Sequence, residues 1–141
     1  MVVEKFIGAN NIQFEIVECD DTHIPDIKEF CSKVDIENNS TLKSIKFGKW
    51  GALEKWWAVY HKNKIISLSG SHYLPHINKN CYVIAYRLAT LKEFKGMASD
   101  KVSSRMLNDF GMGKILPYQV NWCLDKGAET IVATFNSSAN D

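Results

Sequence analysis

Two glycines stand two residues apart at the start of a helical pattern, within residues 108–116 (NDFGMGKIL). Gly111 and Gly113 have no Cβ, so the backbone there can turn sharply and approach a bound molecule closely. The first amide groups of the following helix have no partner inside the helix, and the positive end of the helix dipole lies behind them. This combination favours a site for a phosphate or pyrophosphate group.

The helix that follows the glycines has the clearest pattern in the sequence. Its apolar residues recur at i, i+4, i+7 and i+8, which places them on one face. They are Leu116, Val120, Cys123 and Leu124. Gly127 stands where a glycine commonly ends a helix, and residues 130–135 (TIVATF) then predict a buried strand. A glycine turn, a helix and a strand therefore form one unit.

The glycine segment matches neither of two common nucleotide-binding motifs. It lacks the Gly-Lys-Ser/Thr ending of a triphosphate P-loop with a first glycine five residues earlier. It also lacks the third glycine and the adjacent strand of a dinucleotide fingerprint. A second candidate loop at residues 94–98 contains Gly96, but no comparable helix follows it. Gly111 and Gly113 are therefore the preferred site.

The elements upstream of the glycines predict a mixed α/β fold. A strand, two helices and three consecutive strands are expected at residues 14–19, 24–34, 41–47, 56–61, 65–72 and 81–91. Residues 92–107 are expected to be mostly loop, with Ser99 and Asp100 available to cap a short helix. This order favours antiparallel hairpins early in the chain and one right-handed strand-helix-strand crossover late in it.

Composition limits the class of protein. The 141 residues carry a formal charge of +1 and no run of like charges, so a nucleic-acid partner is not expected. No stretch reaches the length of a membrane span, so we expect a cytoplasmic single domain covering residues 1–141 that does not bind a membrane. The four cysteines show no CxxC pairing, so we expect buried structural thiols and no metal site.

The glycine segment and its surroundings resemble the GNAT superfamily of acyl-CoA N-acyltransferases. The family signature is Gln or Arg, two residues, Gly, one residue, Gly or Ala, and commonly Leu three further on, which Gly111, Gly113 and Leu116 match. Residues 136–139 (NSSA) resemble the Asn-x-x-Ala that follows the family's fifth strand. Two features depart from the pattern: Asn108 replaces Gln or Arg, and residues 91–107 separate the fourth strand from the glycines where the family has only a few residues.

The resemblance implies that a primary amine, on a small molecule or a protein, attacks the thioester of acetyl-CoA directly. The fourth strand would bind the pantetheine arm, and the glycine segment would bind the pyrophosphate. The residues so assigned are Arg87, Leu88, Ala89, Thr90, Asn108, Gly111, Met112, Gly113, Lys114 and Asn136, with the amides of residues 112–114 at the pyrophosphate. Glu93 and His72 are candidates for the base that takes the amine proton. No metal takes part.

Aromatic residues on the second predicted strand and just before it allow two interpretations. They could form a wall of an acceptor pocket, but core packing is the favoured one. The cluster consists of Trp50, Trp56, Trp57 and Tyr60. Tyr118, in the first turns of the glycine-motif helix, is likewise expected to pack rather than to act as an acid.

Family members continue past Asn-x-x-Ala into a helix with a tyrosine that protonates the leaving thiolate, and then into two more strands. This sequence stops at Asp141, so we expect a GNAT-like fold truncated after the fifth strand. Residues 130–135 would then present a bare strand edge, which predicts a homodimer unless residues 2–7 cover it. The alternative function is a catalytically degenerate domain that binds coenzyme A or serves as an interaction module.

Overall fold

The computed structural model describes residues 1–40, 42, 54–75, 79–100 and 104–133. These residues form one six-stranded sheet in which the strands follow chain order. The strands are β1 (Val2–Ile7), β2 (Gln13–Glu18), β3 (Glu54–His61), β4 (Lys64–Tyr73), β5 (Cys81–Thr90) and β6 (Thr130–Ala133). The helices are α1 (Ile24–Asn38), α2 (Arg105–Asn108) and α3 (Leu116–Asp125). The predicted mixed α/β fold is confirmed.

The strand pairing follows the predicted topology. Strands β1 to β5 pair in antiparallel fashion, and β5 pairs with β6 in parallel. The β3–β4 hairpin turns at Lys62 and Asn63, whose φ angles of 48° and 64° suit a tight two-residue turn. A parallel pair requires a crossover connection, and α3 supplies it. At the end of α3, Gly127 has a φ of 85°, which confirms it as the glycine cap.

Strand β1 was not predicted from the sequence. This strand pairs with β2 through Phe6↔Phe14 and Ile7↔Gln13, at the sheet edge opposite β6. The strand expected to be the fifth is therefore the sixth, and β1 does not cover its edge. The register of β1 shifts between Val2 and Glu4 and its burial alternates only weakly, so its sequence lacks a clear two-residue period.

The structure corrects the expected helix cap near residue 100, and the helix expected at 41–47 falls almost entirely outside the described residues. The short helix α2 begins at Arg105, and its cap is Ser104, whose Oγ accepts a hydrogen bond from the Leu107 amide at 3.2 Å. Ser99 and Asp100, which the sequence favoured, do not cap it. The helix expected at 41–47 lies outside the described residues apart from Leu42, and so do residues 134–139.

The core lies on both faces of the sheet, between α1 on one side and α3 on the other. The indoles of Trp56 and Trp57 are 1% and 2% exposed, which confirms core packing for these two; Trp50 lies outside the described residues. All four cysteines are buried and free of disulfides, as predicted. In the described part of the chain, no helix is long and apolar enough to cross a bilayer, and no three metal-ligating side chains come together.

Candidate functional site

The two glycines lie in a π-helical turn, Gly111–Ile115, which continues directly into α3. A Cβ on Gly111 would lie 2.5 Å from the Leu88 side chain, and a Cβ on Gly113 would lie 2.6 Å from the Met106 carbonyl oxygen. Both distances are far shorter than a carbon contact allows. The glycines therefore let this helix pack against β5 and α2, and a larger residue at either position would disturb that packing.

Asp109 occupies the N-terminal end of this turn. Its Oδ1 accepts a hydrogen bond from the Met112 amide at 3.1 Å, and its carbonyl oxygen accepts one from the Gly113 amide at 2.8 Å. Two of the three amides assigned to a pyrophosphate are thus hydrogen-bonded within the chain. At Met112 a carboxylate oxygen stands in the place a phosphate oxygen would take, so an incoming phosphate must displace the Asp109 side chain.

The remaining predicted residues of the glycine segment surround this turn. The Lys114 ammonium lies over the Phe6 ring, 4.5 Å from its centroid. The Asn108 carbonyl accepts a hydrogen bond from the Ala98 amide at 3.0 Å, and its side-chain Oδ1 is buried without a hydrogen-bond partner in the described residues. Asn136 lies outside those residues.

Strand β5 is distorted over the residues predicted to bind the pantetheine arm. Ala85 and Arg87 both have a φ of 54°, which residues other than glycine rarely adopt. The register of β5 against β4 slips once on each side of the Gly70↔Tyr86 pair. Two β-bulges therefore lie in the middle of β5, where they bend the strand and change which way its side chains point.

The outer edge of β5 is paired along only half its length. Strand β6 pairs with residues 81–84, and among the described residues no strand pairs with this edge at residues 87–90. On the inner side, Ala89 and Thr90 remain paired with β4. The backbone from Arg87 to Thr90 thus presents one edge next to the helix that begins with the glycine turn, because Gly111 packs on Leu88.

His72 lies in β4 opposite Glu54 of β3 and Val83 of β5. Its Nδ1 is 3.0 Å from the Tyr73 carbonyl oxygen. A carbonyl oxygen can only accept, so Nδ1 carries the proton in this contact and Nε2 is left as the acceptor. The imidazole packs edge-on against the Tyr86 ring, with a centroid distance of 4.4 Å. This tautomer suits a general base.

Glu93 lies at the other end of the same pair of strands. It is exposed in the 3₁₀ turn Lys92–Phe94 that follows β5. Thr90 pairs with Ser67, five residues along β4 from His72, so Glu93 and His72 are separated by roughly 17 Å or more of strand. The structure therefore does not bring the two predicted bases together.

No protein-family model matches this chain, and no curated protein matches it. The solved GNAT domain of S. lividans PAT matches with a TM-score of 0.68 and 8% identity, over 97% of this chain and 80% of that one. The chain has the GNAT fold. The fold inferred from the glycine signature is confirmed.

Two other solved structures of this GNAT fold are acetyltransferases. An aminoglycoside acetyltransferase from an uncultured soil metagenomic sample, solved with trehalose, has a TM-score of 0.62 at 12% identity over 90% of this chain and 80% of that one. A predicted acetyltransferase from Clostridium acetobutylicum, solved with acetyl-CoA, has a TM-score of 0.58 at 12% identity over 89% and 82%. At such identities the likeness concerns the fold.

Two polar side chains of α3 fix this GNAT helix to the sheet. Gln119 is 1% exposed, and its Nε2 donates hydrogen bonds to Ser69 Oγ and to the Gly70 carbonyl oxygen, both at 2.9 Å. Tyr118 donates a hydrogen bond to Glu4 Oε1 at 2.6 Å; burial and this bond raise the pKa of Tyr118 to about 12. The role of Gln119 was not predicted from the sequence. The signal available was a glutamine beside the apolar face of the helix, where a buried polar side chain needs a hydrogen-bond partner.

A surface depression of about 770 Å³ lies elsewhere, at the turn end of β1, β2 and β3. Phe6, Gln13, Tyr60 and Lys62 are among its lining residues. Of the predicted aromatic cluster it includes Tyr60, and it includes none of the residues predicted to be catalytic or coenzyme-binding. The candidate site is therefore the region between the glycine turn, the bulged part of β5 and His72.

Proposed function

We propose that this chain transfers an acetyl group from acetyl-CoA to a primary amine. The observation that carries the proposal is the strand edge at Arg87–Thr90 beside the helix that starts with Gly111. Amide and carbonyl groups on such an edge can bond an extended amide chain as they would bond another strand. The pantetheine arm of coenzyme A carries two amides, and the C. acetobutylicum acetyltransferase of the same fold was solved with acetyl-CoA.

The phosphates would lie at the glycine turn once the Asp109 carboxylate has moved aside. The Met112 amide would then bind a phosphate oxygen, and the positive end of the helix dipole would favour its charge. Lys114 follows in the same turn and supplies a positive side chain. The amide of Gly113 stays in the helix, so its contribution is the close packing that only glycine permits. Asn136 is assigned to the coenzyme arm by the family resemblance alone.

Acetyl-CoA supplies a thioester carbonyl that is already activated toward amines. The acceptor must lose a proton to form the amide, and the Nε2 of His72 is the group we assign to take it. The C–N bond forms and the C–S bond breaks, the amine proton passes to Nε2, and the electron pair of the broken bond leaves with the sulfur. Because Glu93 lies roughly 17 Å or more along the sheet from His72, the two cannot both reach the same amine, and we assign the role to His72.

Turnover and binding measured on paired variants test the proposal. His72→Gln removes the base but keeps a polar side chain, so we expect kcat to fall about 10²- to 10⁴-fold with little change in acetyl-CoA affinity by calorimetry. Glu93→Gln is the matched control and should retain the wild-type rate. A reversed result would move the base to Glu93, and a wild type that binds no acetyl-CoA would refute the function.

Binding of acetyl-CoA without turnover on any amine would instead support the alternative function, a degenerate coenzyme-binding domain. A panel of primary amines that includes both small molecules and peptides separates these two outcomes. Released coenzyme A can be followed continuously with a thiol reagent, because the cysteines of this chain are buried.

A further inference from the structure

The bulge in β5 places two neighbouring side chains on the same face of the sheet. Successive side chains of a regular strand point to opposite faces. Arg87 has a φ of 54°, and its guanidinium carbon lies 5.5 Å from the centroid of the Tyr86 ring. A residue other than glycine in this conformation carries backbone strain. The strained bulge therefore redirects a charged side chain, as bulges beside functional sites often do.

The redirected guanidinium and His72 contact the same aromatic ring. The Tyr86 ring contacts both side chains: its centroid lies 5.5 Å from the Arg87 guanidinium carbon and 4.4 Å from the centroid of the His72 imidazole. The guanidinium carbon and the imidazole are therefore separated by less than the sum of these two distances. Glu54 pairs directly with His72 and shares this face. A cation, a ring, a base and a carboxylate thus line one short stretch of the sheet.

Arg87 also has the properties of a ligand-binding arginine. It is exposed, and within the described ranges no carboxylate forms an ion pair with it. The planar guanidinium matches a carboxylate with two parallel hydrogen bonds, and stacking on an aromatic ring holds it in one orientation. Such an arginine can bind an anionic group without first breaking an internal pair.

We propose that the Arg87 side chain binds a carboxylate of the acceptor, so that the acceptor is an amino acid whose amine is presented to His72. This inference rests on the proposed acetyl transfer and specifies the chemical class of the acceptor amine. A free amino acid with charge-assisted hydrogen bonds of about 2.8 Å at each end fits within this upper bound on the separation of the two side chains. The backbone of Arg87 serves the coenzyme arm, and its side chain serves the acceptor.

The test uses free amino acids, each paired with the amine that remains when its carboxylate is removed. The wild type should show a kcat/KM at least tenfold higher for the amino acid than for the paired amine. Arg87→Asn should abolish this preference, because it raises the KM for the amino acid. The KM for acetyl-CoA should not change. Asparagine tolerates a positive φ, so the bulge is retained. Arg87→Lys should keep part of the preference, and Arg105→Asn, at an exposed arginine of α2, should keep all of it.

Four results would overturn the inference. The first is a wild type that prefers the amines without a carboxylate, and the second is a preference that Arg87→Asn leaves unchanged. The third is a rise in the KM for acetyl-CoA alone, which would place the guanidinium on the coenzyme. The fourth is transfer to no amine at all, which refutes the acetyl transfer as well. In the first three results acetyl transfer is still observed, so failure of the inference and failure of the proposed function can be distinguished.

Discussion

Asp109 places a negative charge where the coenzyme phosphates would bind. Its carboxylate accepts a hydrogen bond from the Met112 amide, so ligand binding must both displace it and overcome its repulsion. Asp109→Asn keeps a side chain that caps helices but removes the charge. We expect the affinity for coenzyme A to rise about fivefold, which corresponds to about 1 kcal/mol at the distance of neighbouring charges in water. Calorimetry measures it.

The control for this prediction is a carboxylate at an unrelated exposed site. Asp100 Oδ1 accepts a hydrogen bond from the Asn10 amide at 3.2 Å. Asp100→Asn should leave the affinity for coenzyme A unchanged. Weaker binding in Asp109→Asn than in wild type would contradict the prediction, because it would mean that the carboxylate helps to bind the coenzyme.

The buried thiols predict how stability depends on pH. Burial raises the pKa of Cys19 to about 12 and the pKa of Cys31 and Cys123 to about 11. The folded state therefore holds these protons more tightly than the unfolded state, whose thiols have a pKa near 8.5. Their contribution is complete below that value and is lost as pH rises toward 11 and 12.

We expect the midpoint of thermal unfolding to fall when pH is raised from 8 to 11, as measured by circular dichroism. At pH 8 the native protein should react with a thiol reagent only after a denaturant is added, because all four cysteines are buried. Rapid labelling of the folded protein, or an unfolding midpoint that does not change with pH over this range, would contradict this account.

At the scale of elements, Gln119 is the more deeply buried of the two polar side chains that hold α3 on the sheet. Gln119→Met removes its hydrogen bonds to Ser69 and to the Gly70 carbonyl at a site that water does not reach. Leaving a buried carbonyl without its donor costs about 1–3 kcal/mol, so we expect a loss of that size in the free energy of unfolding in urea. Tyr118→Phe, which removes the half-buried bond to Glu4, should cost less. A larger loss in the free energy of unfolding for Tyr118→Phe than for Gln119→Met would show that the Gln119 hydrogen bonds contribute little.

The elements differed in how much of them could be predicted from the sequence. The three central strands and α3 were predictable because their apolar residues repeat with a clear period and turns bound them. The distortion of β5 was not, because the positive φ angles fall on Ala85 and Arg87 rather than on glycine. The separation of His72 from Glu93 depends on strand register, and the bond from Met112 to Asp109 depends on the shape of the turn.

At the scale of the whole molecule, we propose that a second copy of the chain pairs with the outer edge of β6. Within the described residues no strand pairs with its outer edge, and Ile131 and Val132 are only half-buried. Such an edge favours pairing with a second copy, and a closed two-fold pair is the commonest arrangement. We expect light scattering over a concentration series to show a dimer.

Val132→Lys should shift this equilibrium toward the monomer, because a lysine on an edge strand opposes pairing. Val2→Lys, at an exposed position on the opposite edge strand β1, is the matched control and should remain dimeric. A wild type that stays monomeric at high concentration would contradict the prediction.

The strand order β1-β2-β3-β4-β5-β6 also determines how the chain can fold. Each strand pairs with the strand before it, so none has to enter between two strands that are already paired. The β3–β4 hairpin closes through only two residues, Lys62 and Asn63, and so has the smallest loop-closure cost in the sheet. We infer that the sheet can start at this hairpin and grow outward in both directions. The β5–β6 pair would then be the last to form, because its two strands are separated in the chain by the α3 crossover.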